Sequence, residues 1–319
     1  FPVGRSKDGR IITGFYAGRT HSIIENRDCA LGVTQNKEVL DCVIAHMEKF
    51  HIQPYDETTG KGLVRHVLIR FGFMTKEIMV CLVVNGKKLP AEEKLIKSLT
   101  ELEGMTSITL SVNRERTNVI MGKEIRCLWG QGYITDYIGT VKYRISPLSF
   151  YQVNPVQTKN LYEKAISLAG LTGNERVMDA YCGIGTIGLI ASRDAREVIS
   201  VELNPDAVRD AVTNAKRNQI KNVSFYQNDA GAFMVSMAEK GEKADVVFMD
   251  PPRAGSDEAF LSSVVTLSPK KVVYVSCNPE TLARDLRYLT KHGYKAEEAW
   301  GYDCLLYTSP SPRDYAASR

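Results

Sequence analysis

The chain has 319 residues, of which 44% are hydrophobic and 24% charged. That length suits about two domains, and the ordinary globular balance excludes a wholly disordered, collagen-like or coiled-coil protein. Net charge is +4, from 41 Lys and Arg against 37 Asp and Glu, with the excess base in the first 150 residues (21 against 16, then 20 against 21). A basic front half mildly favours an acidic partner, although five charges fit a solvated surface equally well.

No apolar run of about 18 residues and no basic-then-apolar leader occurs, so neither a membrane span nor a signal peptide is expected. The opening Phe1, in place of Met, suggests a piece of a longer parent. Seven cysteines (Cys29, Cys42, Cys81, Cys127, Cys182, Cys277 and Cys304) are scattered without a Cys-x-x-Cys pair. Their odd number and spacing fit a reducing, cytoplasmic setting better than a disulfide framework, and no zinc-ligand spacing appears.

In chain order, two short apolar runs in residues 11–24 flank Ala17-Gly18-Arg19-Thr20 and predict a hairpin. Apolar residues Val39, Leu40, Val43, Ile44 and Met47 predict an amphipathic helix over 33–50. Residues 66–71, 78–84 and 107–112 read as strands and 92–102 as a helix. The segment 132–149 carries the chain into a second domain. Beyond 156, helices (156–169, 187–192, 205–218, 233–239, 279–290) alternate with short strands (176–180, 198–201, 223–227, 245–249, 271–276). Such alternation predicts an α/β domain with a parallel sheet covered on both faces, whose ligands bind beyond the carboxyl ends of the strands.

Four strand ends carry distinctive chemistry. The first runs into Asp179-Ala180-Tyr181-Cys182-Gly183-Ile184-Gly185-Thr186-Ile187-Gly188, where Gly183, Gly185 and Gly188 match Gly-x-Gly-x-x-Gly. Glycines there allow a tight turn and close approach of a cofactor to the backbone. Glu202 ends the next strand, 19 residues after Gly183, where a carboxylate accepts from ribose hydroxyls. Both nicotinamide cofactors and S-adenosylmethionine satisfy that pattern. Cys182, inside this loop, reads as packing.

A later strand ends in Asp250-Pro251-Pro252-Arg253-Ala254-Gly255. Two prolines forbid continuation of helix or central strand and fix a rigid loop. Such a loop suits holding a planar base, with Asp250 as acceptor and Arg253 as cation, and dehydrogenases have no general need of it. The bland alternative is a sharp strand exit with a surface arginine. The last strand ends in Ser276-Cys277-Asn278-Pro279-Glu280, where Asn278 is a good N-cap and Pro279 a favoured first helical residue. A helix N-terminus stabilises a thiolate, so Cys277 is the best nucleophile of the seven. Alone, a cysteine there is more often packing than catalysis; beside the two loops, the nucleophile reading prevails. Upstream, Ser149-Phe150-Tyr151-Gln152-Val153-Asn154-Pro155 either frames a cofactor or simply leads into a capped helix.

These motifs, in this order, resemble those of the S-adenosylmethionine-dependent RNA uracil carbon-5 methyltransferases, with the bacterial 23S ribosomal RNA enzymes nearest. The resembling segments are Phe150-Tyr151-Gln152-Val153-Asn154, the glycine loop from Asp179 to Thr186, the loop from Asp250 to Gly255, and Ser276-Cys277-Asn278-Pro279. The resemblance implies a Rossmann-like class I methyltransferase domain over 141–303, preceded by a mixed α/β RNA-contacting central domain over 1–140. It implies that Gln152, Tyr181, Gly183, Gly185, Glu202 and Asp250 contact S-adenosylmethionine, that Arg253 and Asn278 face substrate, and that Cys277 is the nucleophile. The implied partner is RNA (23S rRNA, alternatively tRNA), with no membrane and no protein partner.

Two departures from the family pattern carry expectations. After Trp300-Gly301-Tyr302-Asp303 the family continues into a Phe-Pro-x-Thr-x-His-x-Glu motif whose Glu is the base, and here a Ser/Pro-containing stretch follows instead. Residues 304–319 are therefore expected to be an aberrant tail, lacking both base and last sheet strand, with impaired turnover. The family's N-terminal β-barrel is expected to be missing. Cys29, in Asn26-Arg27-Asp28-Cys29, resembles the fourth ligand of an iron–sulfur cluster whose other ligands belong to a longer parent; a buried structural cysteine is an equal reading. Competing classes are a nicotinamide-dependent oxidoreductase and a non-catalytic RNA-binding protein.

Overall fold

All seven residues of Ile78–Val84 are apolar and buried. A strand with both faces dry must sit inside a sheet covered on each side. In the computed structural model, which describes residues 1–304 apart from Arg19, Leu31 and Val153, it does. Strands β1 (Val3–Arg5), β2 (Ile11–Tyr16) and β3 (Ile23–Glu25) form an antiparallel ribbon, and helix α1 (Gln35–Lys49) follows. Next come β4 (Val64–Phe71), β5 (Ile78–Val84), α2 (Glu92–Thr100), β6 (Met105–Val112) and β7 (Glu124–Gly130), with the four strands in sequential sheet order. The apolar stripe Val39, Leu40, Val43 and Met47 of α1, with Leu95 and Leu99 of α2, packs on Val80, Leu82, Ile108 and Leu110.

Then β8 (Ile134–Ile138) and β9 (Val141–Ile145) form a two-stranded hairpin, and α3 (Pro155–Ala169) follows. The remaining elements are β10 (Arg176–Asp179), α4 (Thr186–Ala191), β11 (Glu197–Glu202), α5 (Pro205–Arg217), β12 (Val223–Gln227), α6 (Ala230–Glu239), β13 (Val246–Met249), α7 (Glu258–Leu267), β14 (Lys271–Tyr274) and α8 (Pro279–Lys291). The chain divides into two compact units, Phe1–Asp136 with Ile145–Pro147, and Tyr137–Arg144 with Leu148–Cys304.

In the second unit five parallel strands lie in the order β12-β11-β10-β13-β14. Residues Met178, Ile199, Val201, Val247 and Met249 face α6 and α7, joined by Leu289 of α8. The α/β class is therefore as expected. The order also reverses between β10 and β13, which makes the crevice beyond their carboxyl ends the natural ligand site.

Several elements differ from the sequence expectation. The strand expected over 271–276 stops at Tyr274, leaving Val275 and Ser276 in the turn that leads to Cys277. The edge strand β7, the hairpin β8–β9, the short β1 and helix α7 had no strong signal in sequence. Among the described residues, no helix is long and apolar enough to cross a membrane. The aberrant tail expected over 304–319, with the expected loss of a last strand, lies outside the described residues except for Cys304.

Candidate functional site

The turn after β10 takes its shape from glycine. Gly183 and Gly185 adopt φ of 54° and 86°, in the left-handed region that disfavours side chains. Nothing lies within 4 Å of where a Cβ on Gly183 would stand, so that backbone is open to close approach. The loop is held from two sides. The Gly183 N–H donates to Glu202 Oε2 at 3.0 Å, from the end of β11, and the Gly188 N–H donates to Asp179 Oδ2 at 2.8 Å. The second oxygen of Glu202 accepts from the Asn204 N–H at 2.8 Å, ahead of α5. Glu202 thus braces the glycine turn and retains lone pairs for a ligand.

Asp179 is fully buried, its Oδ1 has no hydrogen-bond partner among the described residues, and burial pushes its carboxyl up to about 7. Asp250, past the end of the neighbouring β13, is likewise pushed up to about 7 by burial and hydrogen-bonds to none of the described residues. Cys182 is buried within the loop and burial raises its thiol well above the ordinary range, which suits packing and not nucleophilic attack. Tyr181 meets the Ser256 hydroxyl at 3.1 Å and leans on Phe260, 5.4 Å between ring centroids. Burial and the charge of Asp250 push the phenol of Tyr162 up, and the side chain of Gln152 acts on it in the opposite direction.

Cys277 is exposed and immediately precedes Asn278, the N-cap of α8. The Asn278 carbonyl oxygen of the side chain accepts from the Glu280 N–H at 3.0 Å, while its amide donates to the Arg253 carbonyl at 3.1 Å. Thr281 Oγ1 donates to that same carbonyl at 3.1 Å. The double-proline loop is thereby tied, through the backbone of Arg253, to the helix that follows Cys277. Asn278 caps α8 as its residue type predicts, and it is also a latch on the Arg253 carbonyl, an engagement that residue type alone does not reveal.

A family model described as tRNA (Uracil-5-)-methyltransferase matches residues 63–310. The chain belongs to that family. An uncharacterized RNA methyltransferase of Clostridium tetani is 46% identical over 308 residues, 96% of this chain and 67% of the relative. One from Oceanobacillus iheyensis is 44% identical over 310 residues, 97% of this chain and 67% of the relative. The chain thus spans about two thirds of the length of these curated relatives. Among solved structures, the Pyrococcus abyssi tRNA (uracil-54, C5)-methyltransferase in complex with S-adenosyl-L-homocysteine is similar, with a TM-score of 0.74 and 28% identity. That match covers 91% of this chain and 68% of the other.

In this uracil-5-methyltransferase family member, four side chains in or beside the site belong to no motif legible in the sequence: Asp179 as an acid, Thr281, Arg284 and Asp285. Asp285 did leave a trace, as a carboxylate lying among the apolar positions Leu282, Leu286 and Leu289 of α8. Cys29 is half-buried, and among the described residues no cluster of three or more His, Cys, Asp or Glu is arranged to hold a metal ion.

Proposed function

We propose that the chain transfers a methyl group from S-adenosylmethionine to carbon 5 of a uridine in RNA, through a covalent bond between Cys277 and carbon 6 of the base. The observation that carries this reading is the exposed Cys277 at the head of α8, roped by Asn278 and Thr281 to the loop that bears Asp250. The residues present fit the cofactor: open backbone at Gly183, a braced carboxylate at Glu202, and at Asp250 a desolvated carboxylate that none of the described residues engages. With them, Gln152, Tyr181 and Gly185 would line its site. S-adenosylmethionine, when bound, supplies the sulfonium methyl group that carbon 5 accepts.

Carbon 5 of uracil is a poor nucleophile until a thiolate adds to carbon 6 and leaves an enolate. Cys277 is exposed immediately before the N-cap of α8, where its sulfur can reach a base. After carbon 5 has taken the methyl group, loss of its proton to a base expels the thiolate, so one hard substitution is divided into addition, methyl transfer and elimination. Arg253 contributes a cation for RNA beside the target base, which must leave its stack to enter. The family's base motif is absent from the sequence, and no base is assigned, so a methylated adduct is expected to accumulate.

The substrate is proposed to be 23S rRNA on the motif resemblance. A tRNA reading is favoured by the name of the Pyrococcus structure. Mixing the protein with S-adenosylmethionine and either 23S fragments or tRNA, then analysing by denaturing gel and mass spectrometry, tests both. The expected result is a methylated adduct on Cys277 with 23S fragments, absent in Cys277→Ala. No adduct with either RNA, while cofactor still binds, would overturn the mechanism.

A further inference from the structure

The carboxylate of Asp285 is fully buried, on the third turn's approach of α8 and two helical turns from Cys277. Both of its oxygens are filled. Oδ2 accepts from the Ser256 N–H at 2.9 Å and from the Tyr274 hydroxyl at 2.7 Å. Oδ1 accepts from the Arg284 guanidinium, Nε at 2.8 Å and Nη2 at 2.7 Å. Arg284 Nη2 also reaches the carbonyls of Ala254 and Ser256, at 2.9 and 3.0 Å. The fit is tight: a Cβ on Gly255 would stand 2.6 Å from Asp285 Oδ2 and 2.5 Å from Arg284 Nη2, at a φ of 74°.

These bonds join separate strand ends. Ser256 closes the loop that follows β13 and bears Asp250 and Arg253. Tyr274 is the last residue of β14, three positions before Cys277, and burial together with Asp285 holds its phenol protonated, so that it donates. The Ser256 hydroxyl touches the hydroxyl of Tyr181, in the glycine loop after β10. One buried carboxylate thus gathers the loops after β10, β13 and β14.

We infer that Asp285 is a positioning residue, which fixes the Asp250 loop and the Cys277 turn in one register so that a nucleophile on one is aimed at a base held by the other. The inference rests on the mechanism proposed above. Its physical basis is that reacting atoms must meet within roughly 3–3.5 Å, and that a displacement of about 1 Å costs on the order of a hundredfold in rate. A backbone N–H and a guanidinium cannot reverse polarity. In Asp285→Asn the new amide must therefore face at least one donor that cannot accept, and one tie breaks.

The test uses RNA transcribed with 5-fluorouridine, in 23S fragments and tRNA, with S-adenosylmethionine. Once the Cys277 sulfur has bonded to carbon 6 and carbon 5 has been methylated, fluorine cannot depart as a cation. The thiolate is not expelled and the adduct persists whatever base is present. Adduct rate, S-adenosylhomocysteine affinity and melting temperature are measured for the wild type, Asp285→Asn, Arg284→Met and Cys277→Ala. Asp285→Asn is expected to slow adduct formation by about tenfold or more while affinity stays within about threefold. Arg284→Met, at a mostly exposed side chain, should slow it several-fold with affinity unchanged. If Asp285→Asn does not fold, Arg284→Met decides: slowing with intact affinity supports positioning, and a wild-type rate overturns it.

A wild-type adduct rate in Asp285→Asn, or parallel loss of adduct and affinity, overturns the role of Asp285 alone. A wild type that forms no Cys277-dependent adduct overturns the mechanism beneath it as well.

Discussion

The Gly188 N–H donates to Asp179 Oδ2 at 2.8 Å, and a Cβ at position 188 would stand 3.0 Å from that oxygen and 2.7 Å from the Ser200 hydroxyl. The start of α4 therefore lies against β10 and β11 with no room for a methyl group. Gly188→Ala improves helix propensity by about 1 kcal/mol, yet overpacking a buried contact costs typically about 1–3 kcal/mol. The clash also pushes at the acid that anchors the glycine turn. The expected outcome is a lower melting temperature and at least about tenfold weaker S-adenosylhomocysteine binding, since about 1.4 kcal/mol is a factor of ten. Calorimetry and thermal melting of the variant check both. A variant with higher stability and normal affinity would show that α4 can slide without consequence.

Asp250 gives the site a pH dependence whose sign follows from burial. Its carboxyl is raised to about 7, so in the free protein it is largely neutral at pH 6 and largely ionised at pH 8. A cationic sulfonium ligand favours the ionised form, so S-adenosylmethionine affinity should rise across that interval and Asp250→Asn should flatten the rise. Folding stability runs the other way. The native group binds its proton more tightly than an unfolded carboxyl near its ordinary 3.8. Its contribution is fully present below that value and is lost as pH climbs through about 7. Melting curves of Asp250→Asn against the wild type from pH 5 to about 8 test this, with a shallower decline expected in the variant.

What the sequence made legible was punctuation. Glycines at 183 and 185, prolines at 251, 252 and 279, and a cysteine before an N-cap announce strand ends because few other residues tolerate those backbones. Apolar periodicity likewise located α1, and an unbroken apolar run located β5. The elements that escaped lack a one-sided pattern. Strand β7 (EIRCLWG) is half-exposed at a sheet edge and charged at two positions. Helix α7 (EAFLSSVVTL) mixes β-branched residues and serines that suit a strand nearly as well, and is fixed as a helix by its Asp257 cap and by tertiary packing. Polar side chains whose meaning lies in distant partners escaped too. Asp285 bonds across 29 positions to Ser256, and Asn214 across 70 to Arg144, separations no local window reports.

Helix α5 shows what such a residue does for the fold. Asp210, Asn214 and Asn218 are spaced four apart and so line one face. Asn214 is fully buried; its amide donates to the Ile184 carbonyl at 3.1 Å and its oxygen accepts from the Arg144 N–H at 2.6 Å. Asn218 exchanges two bonds with the backbone of Lys142, and the Ser149 hydroxyl donates to Asp210 at 2.7 Å. Asn214→Leu leaves a carbonyl and an N–H buried without partners, about 1–3 kcal/mol each. A fall in melting temperature is expected, with faster hydrogen exchange at the Arg144 amide. Unchanged exchange there would mean that the hairpin is held independently of Asn214.

Asn278 carries two duties that separate by substitution. Its side-chain oxygen caps α8, and its amide holds the Arg253 carbonyl. Asn278→Asp keeps the cap, since aspartate is as good an acceptor there, but sets a carboxylate oxygen against a carbonyl oxygen in place of the latch. Asn278→Ala loses both. The cap alone is worth about 1 kcal/mol, so Asn278→Ala should melt lower while Asn278→Asp stays close to the wild type. If the latch aligns the Asp250 loop with Cys277, both variants should form the RNA adduct more slowly, whatever their stability. Adduct rates that track melting temperature would instead assign Asn278 to the helix alone. Thr281 Oγ1, which donates to the same carbonyl, would then be the sufficient tie.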